Sequence, residues 1–131
     1  MTIKNIVKRI LNYIPTILAA GLIMYLSLLR EPHFQLPEIS IAYLDKWVHG
    51  LMYMVLGIVF TFDLRRDGVR LPTAALPAIV LPSLYGGLIE ILQEYCFAPR
   101  TGEWLDWAAD IAGVMVGAGA TLYILYKRKK I

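Results

Sequence analysis

The sequence predicts an all-α, polytopic membrane protein built as a bundle of four transmembrane helices. Of its 131 residues 58% are hydrophobic, and its mean hydropathy is +0.59, which is too apolar for a soluble domain of this size. The apolar residues form four stretches, each close to the roughly 20 residues that cross a bilayer. The predicted spans are 11–29, 44–62, 73–95 and 104–126. Because the connections are short, residues 1–131 are expected to form a single domain.

The residues ahead of the first span predict an amphipathic helix at the membrane interface. Apolar residues recur there three or four positions apart, and basic residues occupy the remaining faces. The apolar set is Ile3, Ile6, Val7, Ile10 and Leu11.

Basic residues predict the orientation of the chain. Ten of the 13 fall in the N-terminal segment, the connection between the second and third spans, and the C-terminal tail: Lys4, Lys8, Arg9, Arg65, Arg66, Arg70, Lys127, Arg128, Lys129 and Lys130. The positive-inside rule then places both termini in the cytoplasm. Juxtamembrane clusters of this kind are typical of membrane topology and contact with anionic lipids, so the basic composition does not indicate nucleic-acid binding.

The first polar motif opens the second span. Asp45, Lys46 and His49 are three or four residues apart, so their side chains share one sector of a helix. Asp45 and Lys46 also suit a helix end at the membrane surface, as a dipole partner and a snorkelling side chain. His49 lies about 6 Å deeper along the helix than Asp45. A role at the end of the helix therefore does not account for His49.

The second polar motif lies near the end of the third span. Glu90 and Gln93 share a face with Gly86, where the lack of a side chain allows another helix to approach. The pair is therefore expected to face the bundle, and a carboxylate within a span is a functional-site candidate. The alternative is a structural ion pair between Glu90 and Lys46 or Arg100.

The third polar motif leads into the fourth span. Arg100 lies in the short connection, and Asp106 and Asp110 follow four residues apart. Gly113 and Gly117 continue the same stripe as a Gly-x-x-x-Gly packing seam, so both aspartates are expected to face the bundle.

All three motifs are expected at one depth, within about 10 Å of the non-cytoplasmic boundary. The sequence therefore predicts one polar pocket there. Its candidate ligand-binding residues are Asp45, Lys46, His49, Glu90, Gln93, Arg100, Asp106 and Asp110.

In this order the motifs Asp-Lys-x-x-His, Glu-x-x-Gln and Pro-Arg-Thr-Gly-x-Trp-x-Asp resemble the VanZ-like membrane proteins. The resemblance extends from residue 10 to residue 126 and implies a small multi-pass protein of the bacterial cytoplasmic membrane. The founding member of the family is linked to low-level resistance to the glycopeptide teicoplanin. The matching positions are Asp45, Lys46, His49, Glu90, Gln93, Arg100, Asp106, Gly113 and Gly117. Where the family usually has asparagine this chain has Asp110, whose negative charge puts a neutral hydrogen-bonding role in doubt.

Three functions fit the predicted pocket. A binding protein would hold the head group of a phospholipid or a lipid-linked cell-wall intermediate, with Lys46 and Arg100 on the phosphate. An enzyme would use His49 as acid or base, while Glu90 and Asp106 assist proton transfer or coordinate a divalent metal with it. No serine or cysteine nucleophile joins these residues. In the third case the polar network only stabilises a helper subunit of a cell-envelope complex.

Overall fold

The computed structural model describes residues 2–29, 44–96 and 104–129, and within these ranges the chain is helical apart from short turns. The elements are α1 (Ile3–Asn12), α2 (Ile14–Met24) with a π-helical turn at Tyr25–Leu29, α3 (Leu44–Arg66), α4 (Leu71–Cys96) and α5 (Trp104–Lys129). The predicted all-α class is confirmed for the described residues.

Three described helices are long and apolar enough to cross a membrane: Lys46–Arg66 in α3, α4 and α5. Ahead of these helices lies a bent pair, because α1 and the stretch Ile14–Leu28 meet at an angle of 53°. Helix α1 covers the residues predicted as an interfacial amphipathic helix, and Ile14–Leu28 covers most of the predicted first span. The described chain thus has three candidate spans, or four if the bent pair is counted as one. This agrees with a multi-pass membrane protein.

Apolar side chains cover the outside of the helices, while several polar side chains are buried. Leu81, Leu84 and Leu88 of α4 are at least half exposed, whereas Thr61 and Asp63 of α3 are almost completely buried. In a protein surrounded by water this distribution would leave a large apolar surface exposed. It suits helices whose outer surface contacts lipid.

Helices α3 and α5 pack closely through glycine. Gly113 lies against the carbonyl of Gly50, and Gly117 lies against the carbonyl of Met54, so a Cβ at either glycine would collide with backbone. Residue numbers rise together along this contact, which means that the two helices are parallel. Helix α4 runs antiparallel to both and packs against each of them.

Helix α2 is attached to this three-helix unit mainly along α3. Two hydrogen bonds also join it and its π-helical turn to α4. The Tyr85 hydroxyl donates to the carbonyl of Ala20 at 2.5 Å, and Gln93 Nε2 donates to the carbonyl of Ser27 at 2.8 Å.

Asp63 caps the N-terminus of α2 from the neighbouring helix. Its Oδ2 accepts hydrogen bonds from the Thr16 amide at 3.0 Å and from the Thr16 hydroxyl at 2.6 Å. A helix N-terminus leaves backbone amides without intrahelical partners, and no side chain at Tyr13 supplies a cap. The buried carboxylate of α3 therefore stabilises the start of α2.

Asp67 holds the end of α1 beside the same bend. Its carboxylate accepts hydrogen bonds from Arg9 Nε and from a terminal guanidinium nitrogen of Arg9, at 3.0 to 3.2 Å. Asn12 and Tyr13 donate to it at 3.3 and 3.0 Å. We call the contacts of Asp63 and Asp67 with residues 9–16 the α1–α2 junction, and the sequence analysis assigned no role to either carboxylate in it.

The Gly117→Ala substitution is expected to destabilise the protein by about 1–3 kcal/mol, because its methyl group would displace the backbone of α3. Gly119→Ala on the same helix is the matched control, since nothing lies within 4 Å of the position a Cβ would take there. The free energy of unfolding in mixed detergent micelles measures both. Equal values for the two variants would contradict the close α3–α5 contact.

Asp67 also predicts a pH dependence. The Arg9 guanidinium holds the pKa of the Asp67 carboxyl below its usual range, and Asn12 and Tyr13 lower it further against the opposing effect of burial. Because the folded pKa is depressed, the stabilisation is present above the unfolded value of about 3.9 and is lost as the pH falls through the folded value. Asp67→Asn should therefore lower the unfolding temperature at pH 7, and the difference from the native chain should shrink in acid. A difference that does not change with pH would speak against this assignment.

Candidate functional site

Three helices bring buried polar side chains to one level of the bundle. Helix α3 contributes Lys46 and His49, which lie three residues apart on one face. One turn of α4 contributes Glu90, and two successive turns of α5 contribute Asp106 and Asp110. The exposed fractions are 8% for His49, 6% for Glu90, 5% for Asp106 and 0% for Asp110. We call these five residues the polar cluster.

The imidazole of His49 lies between the two aspartates of α5. Its Nδ1 is 3.1 Å from Oδ1 of Asp110, and its Nε2 is 3.8 Å from Oδ2 of Asp106. An ionised carboxylate only accepts hydrogen bonds, so Nδ1 donates its proton to Asp110. In the neutral ring the lone pair of Nε2 is then directed toward Asp106.

Asp106 connects the imidazole with a lysine. Its Oδ1 is 3.0 Å from the ammonium nitrogen of Lys46, while its Oδ2 is the oxygen that faces His49. The ammonium group is at the edge of the cluster, because the Lys46 side chain is 23% exposed and that of Asp106 is 8% exposed.

Glu90 completes the arrangement from the third helix. One ligand atom each from His49, Glu90 and Asp106 can be chosen so that all three lie within 4.8 Å of one another. A nitrogen and two carboxylate oxygens at this spacing are a donor set that a divalent metal could share.

Small residues make room for the cluster. A Cβ at Gly86 would lie 3.0 Å from Oδ2 of Asp110 and 3.2 Å from the ring of Tyr53. Glycine at this position of α4 thus lets a fully buried carboxylate of α5 and an aromatic ring of α3 approach the α4 backbone together. Gly113 and Gly117 bring α5 onto α3 just beyond the aspartates.

Tyr53 is a buried polar residue that the sequence analysis did not count as a site candidate. It follows His49 by one helical turn, and its side chain is completely buried. Its ring lies beside Asp110 at Gly86, and its hydroxyl has no hydrogen-bond partner among the described residues. The spacing of four residues from His49 was the signal that could have identified it.

Three further residues were predicted for the pocket, and none of them is counted in the polar cluster. Gln93 is buried, but its amide donates to Ser27 in the π-helical turn, so it also joins α4 to the α2 segment. Asp45 belongs to the first turn of α3, but its side chain lies outside the described part of the chain. Arg100 also lies outside the described residues.

A groove of about 570 Å³ between α4 and α5 reaches the polar cluster from the outer surface of the bundle. Glu90 belongs both to this groove and to the cluster, and Glu94 lines the same end. The other walls are apolar or aromatic: Leu84, Gly87, Leu88, Ile91, Tyr95, Trp104 and Trp107. Trp107 is fixed in the wall because its Nε1 donates to the carbonyl of Ser83 at 2.9 Å. The groove therefore meets the polar cluster at Glu90.

No protein-family model, curated protein or solved structure matches this chain. The resemblance to the VanZ-like proteins therefore stays a prediction that rests on the three sequence motifs.

A double-mutant cycle should detect the contact between Lys46 and Asp106. Lys46→Met and Asp106→Asn each remove one charge of the pair, so their effects on the free energy of unfolding should be non-additive by roughly 0.5–3 kcal/mol. The matched control combines Lys46→Met with Asp63→Asn, whose carboxylate lies at the other end of α3 and should give additive effects. Additivity in both cycles would show that the ion pair contributes no coupling.

Proposed function

We propose that this protein binds the polar head group of a membrane lipid, or of a lipid-linked cell-envelope intermediate, in the polar cluster. The observation that carries the proposal is the shared position of Glu90, which lines both the buried cluster and the α4–α5 groove. A lipid needs a polar site joined to an apolar channel, and here the two are continuous.

The chemistry of the two parts suits the two parts of a lipid. The polar cluster offers an ammonium group at Lys46 for a phosphate and carboxylates for hydroxyl or amine groups. The groove offers leucines for a hydrocarbon chain, together with Trp104 and Trp107. Tryptophan is enriched at the depth of lipid head groups, which supports an opening of the groove near the membrane surface.

Orientation and family belong to the same proposal. The basic segments of the chain favour a bacterial cytoplasmic membrane protein with four spans, in which both termini lie in the cytoplasm and the cluster lies in the outer leaflet. The three motifs favour a VanZ-like protein. That family resemblance suggests the cell envelope as the setting and a lipid-linked cell-wall intermediate as one ligand class, with glycopeptide resistance as a phenotype to examine.

One observation favours an enzyme as the second candidate. The hydrogen bond from His49 Nδ1 to Asp110 leaves Nε2 as the reactive nitrogen of the neutral ring, which is the arrangement of a general base oriented by a carboxylate. A ligand that leaves the pocket chemically altered would distinguish this function from binding alone. A helper subunit, the third alternative, would retain no lipid.

Native mass spectrometry of the protein released from detergent micelles tests lipid binding. The native chain should retain one lipid per molecule, and Glu90→Gln should reduce its affinity at least tenfold, a change of about 1.4 kcal/mol. Asp67→Asn is the control, because it also replaces a carboxylate by an amide, but in the turn between α3 and α4 at the other end of the bundle. Equal retention by all three proteins would overturn the proposal, and so would the absence of retained lipid from the native chain.

A further inference from the structure

We infer that the polar cluster is a binding site for one divalent transition-metal ion, held by His49 Nε2 and by one carboxylate oxygen each from Glu90 and Asp106. The site deepens the proposed function, because the ion would bind the phosphate of the lipid head group. Only that role for the ion rests on the proposed function. Binding of the ion itself can be tested without any lipid.

The distances suit a shared ion. Protein nitrogen and oxygen ligands lie about 2.0–2.2 Å from a zinc ion, so two ligands of a tetrahedral site are about 3.3–3.6 Å apart. Nε2 of His49 and Oδ2 of Asp106 are 3.8 Å apart, which is a few tenths of an ångström longer. The three ligand atoms lie within 4.8 Å of one another, so the Glu90 carboxylate needs to move by at most about 1.5 Å. Side-chain rotation supplies such a movement without a shift of the helices.

The hydrogen bond between His49 and Asp110 orients the ring for metal binding. Histidine ligands usually donate their second ring N–H to a carboxylate or a carbonyl, which fixes the tautomer and raises the basicity of the ligating nitrogen. Here Nδ1 donates to Asp110 at 3.1 Å, and Nε2 is 3.8 Å from Oδ2 of Asp106. Asp110 is thus a positioning residue, and the negative charge that distinguishes it from asparagine strengthens this role.

An independent observation at Tyr53 points to a ligand beside the cluster. Its hydroxyl is completely buried and has no hydrogen-bond partner in the described chain. The Tyr53 ring and Oδ2 of Asp110 both lie within 3.2 Å of the position that a Cβ of Gly86 would take, so the ring lies beside this carboxylate. A buried hydroxyl without a partner destabilises the folded chain. A water molecule or phosphate oxygen on the metal would provide the missing hydrogen bond.

The donor set selects the class of ion. One imidazole with two carboxylates suits Zn²⁺, Mn²⁺ or Fe²⁺, whereas Mg²⁺ and Ca²⁺ favour oxygen ligands alone. Lys46 is the competitor within the site, because its ammonium group binds the other oxygen of Asp106 at 3.0 Å. The ammonium group of Lys46 partly neutralises the charge of the Asp106 carboxylate. It binds Oδ1, and Oδ2 of Asp106 still faces His49.

Equilibrium dialysis against ZnCl₂ tests the site, using protein that carries no polyhistidine tag and has been treated with a chelator. Elemental analysis should find one zinc per chain, and an excess of MgCl₂ should not displace it. His49→Ala and Glu90→Gln should each weaken zinc binding at least 100-fold. Asp110→Asn keeps an acceptor oxygen for Nδ1 but removes the charge, so it should weaken binding about 10- to 100-fold. Asp67→Asn should have no effect.

Lys46→Met separates loss of the site from loss of the fold. Removal of the competing ammonium group should strengthen zinc binding several-fold, although the same change breaks an ion pair. A variant that only loosened the helices would bind zinc more weakly, and that result would overturn the assignment of Lys46. Failure of the native chain to bind zinc at 1 mM, or binding that survives His49→Ala, would overturn the metal site itself.

The two proposals fail in different ways. Zinc binding without retained lipid would leave the metal site intact and refute head-group binding. Lipid retained by a native chain that binds no zinc would refute only the metal site.

Discussion

The contact between the backbones of α3 and α5 is the constraint on which the rest of the structure depends. Gly113 and Gly117 allow α5 to lie against the carbonyls of Gly50 and Met54. His49 immediately precedes the first of these carbonyls, and Asp110 lies three residues before the first glycine. The register of the glycine contact therefore sets the 3.1 Å distance between the imidazole and the carboxylate. A larger residue at the seam would separate the helices and move these polar groups toward lipid.

Helix α3 makes polar contacts at both of its ends, and the two sets of contacts have different surroundings. At one end His49 and Lys46 meet the aspartates of α5 within the bundle. At the other end Asp63 and Asp67 satisfy amide, hydroxyl and guanidinium donors of the α1–α2 junction. The junction uses each carboxylate to satisfy donors from the same chain. The cluster instead has a groove beside it and the buried hydroxyl of Tyr53 within it, and this difference makes the cluster the candidate site.

Helices and faces could be predicted from the sequence because both are local properties. Helices α3, α4 and α5 cover the predicted spans 44–62, 73–95 and 104–126, and spacing of three or four residues grouped Lys46 with His49 and Asp106 with Asp110. Contacts between segments that are distant in the sequence could not be predicted from residue spacing. The amphipathic pattern separated the segment of α1 from the first span, but the contacts of Asp63 and Asp67 with the bend lie about fifty residues further along the chain and were not predicted. The glycine pattern likewise identified a packing face of α5 but not its parallel partner α3.

The long separation between Thr16 and Asp63 has a consequence for biosynthesis. These residues are 47 positions apart, and Arg9 and Asp67 are 58 positions apart. The carboxylate that caps α2 is therefore synthesised well after α2 itself, so the α1–α2 junction can form only once α3 packs beside it.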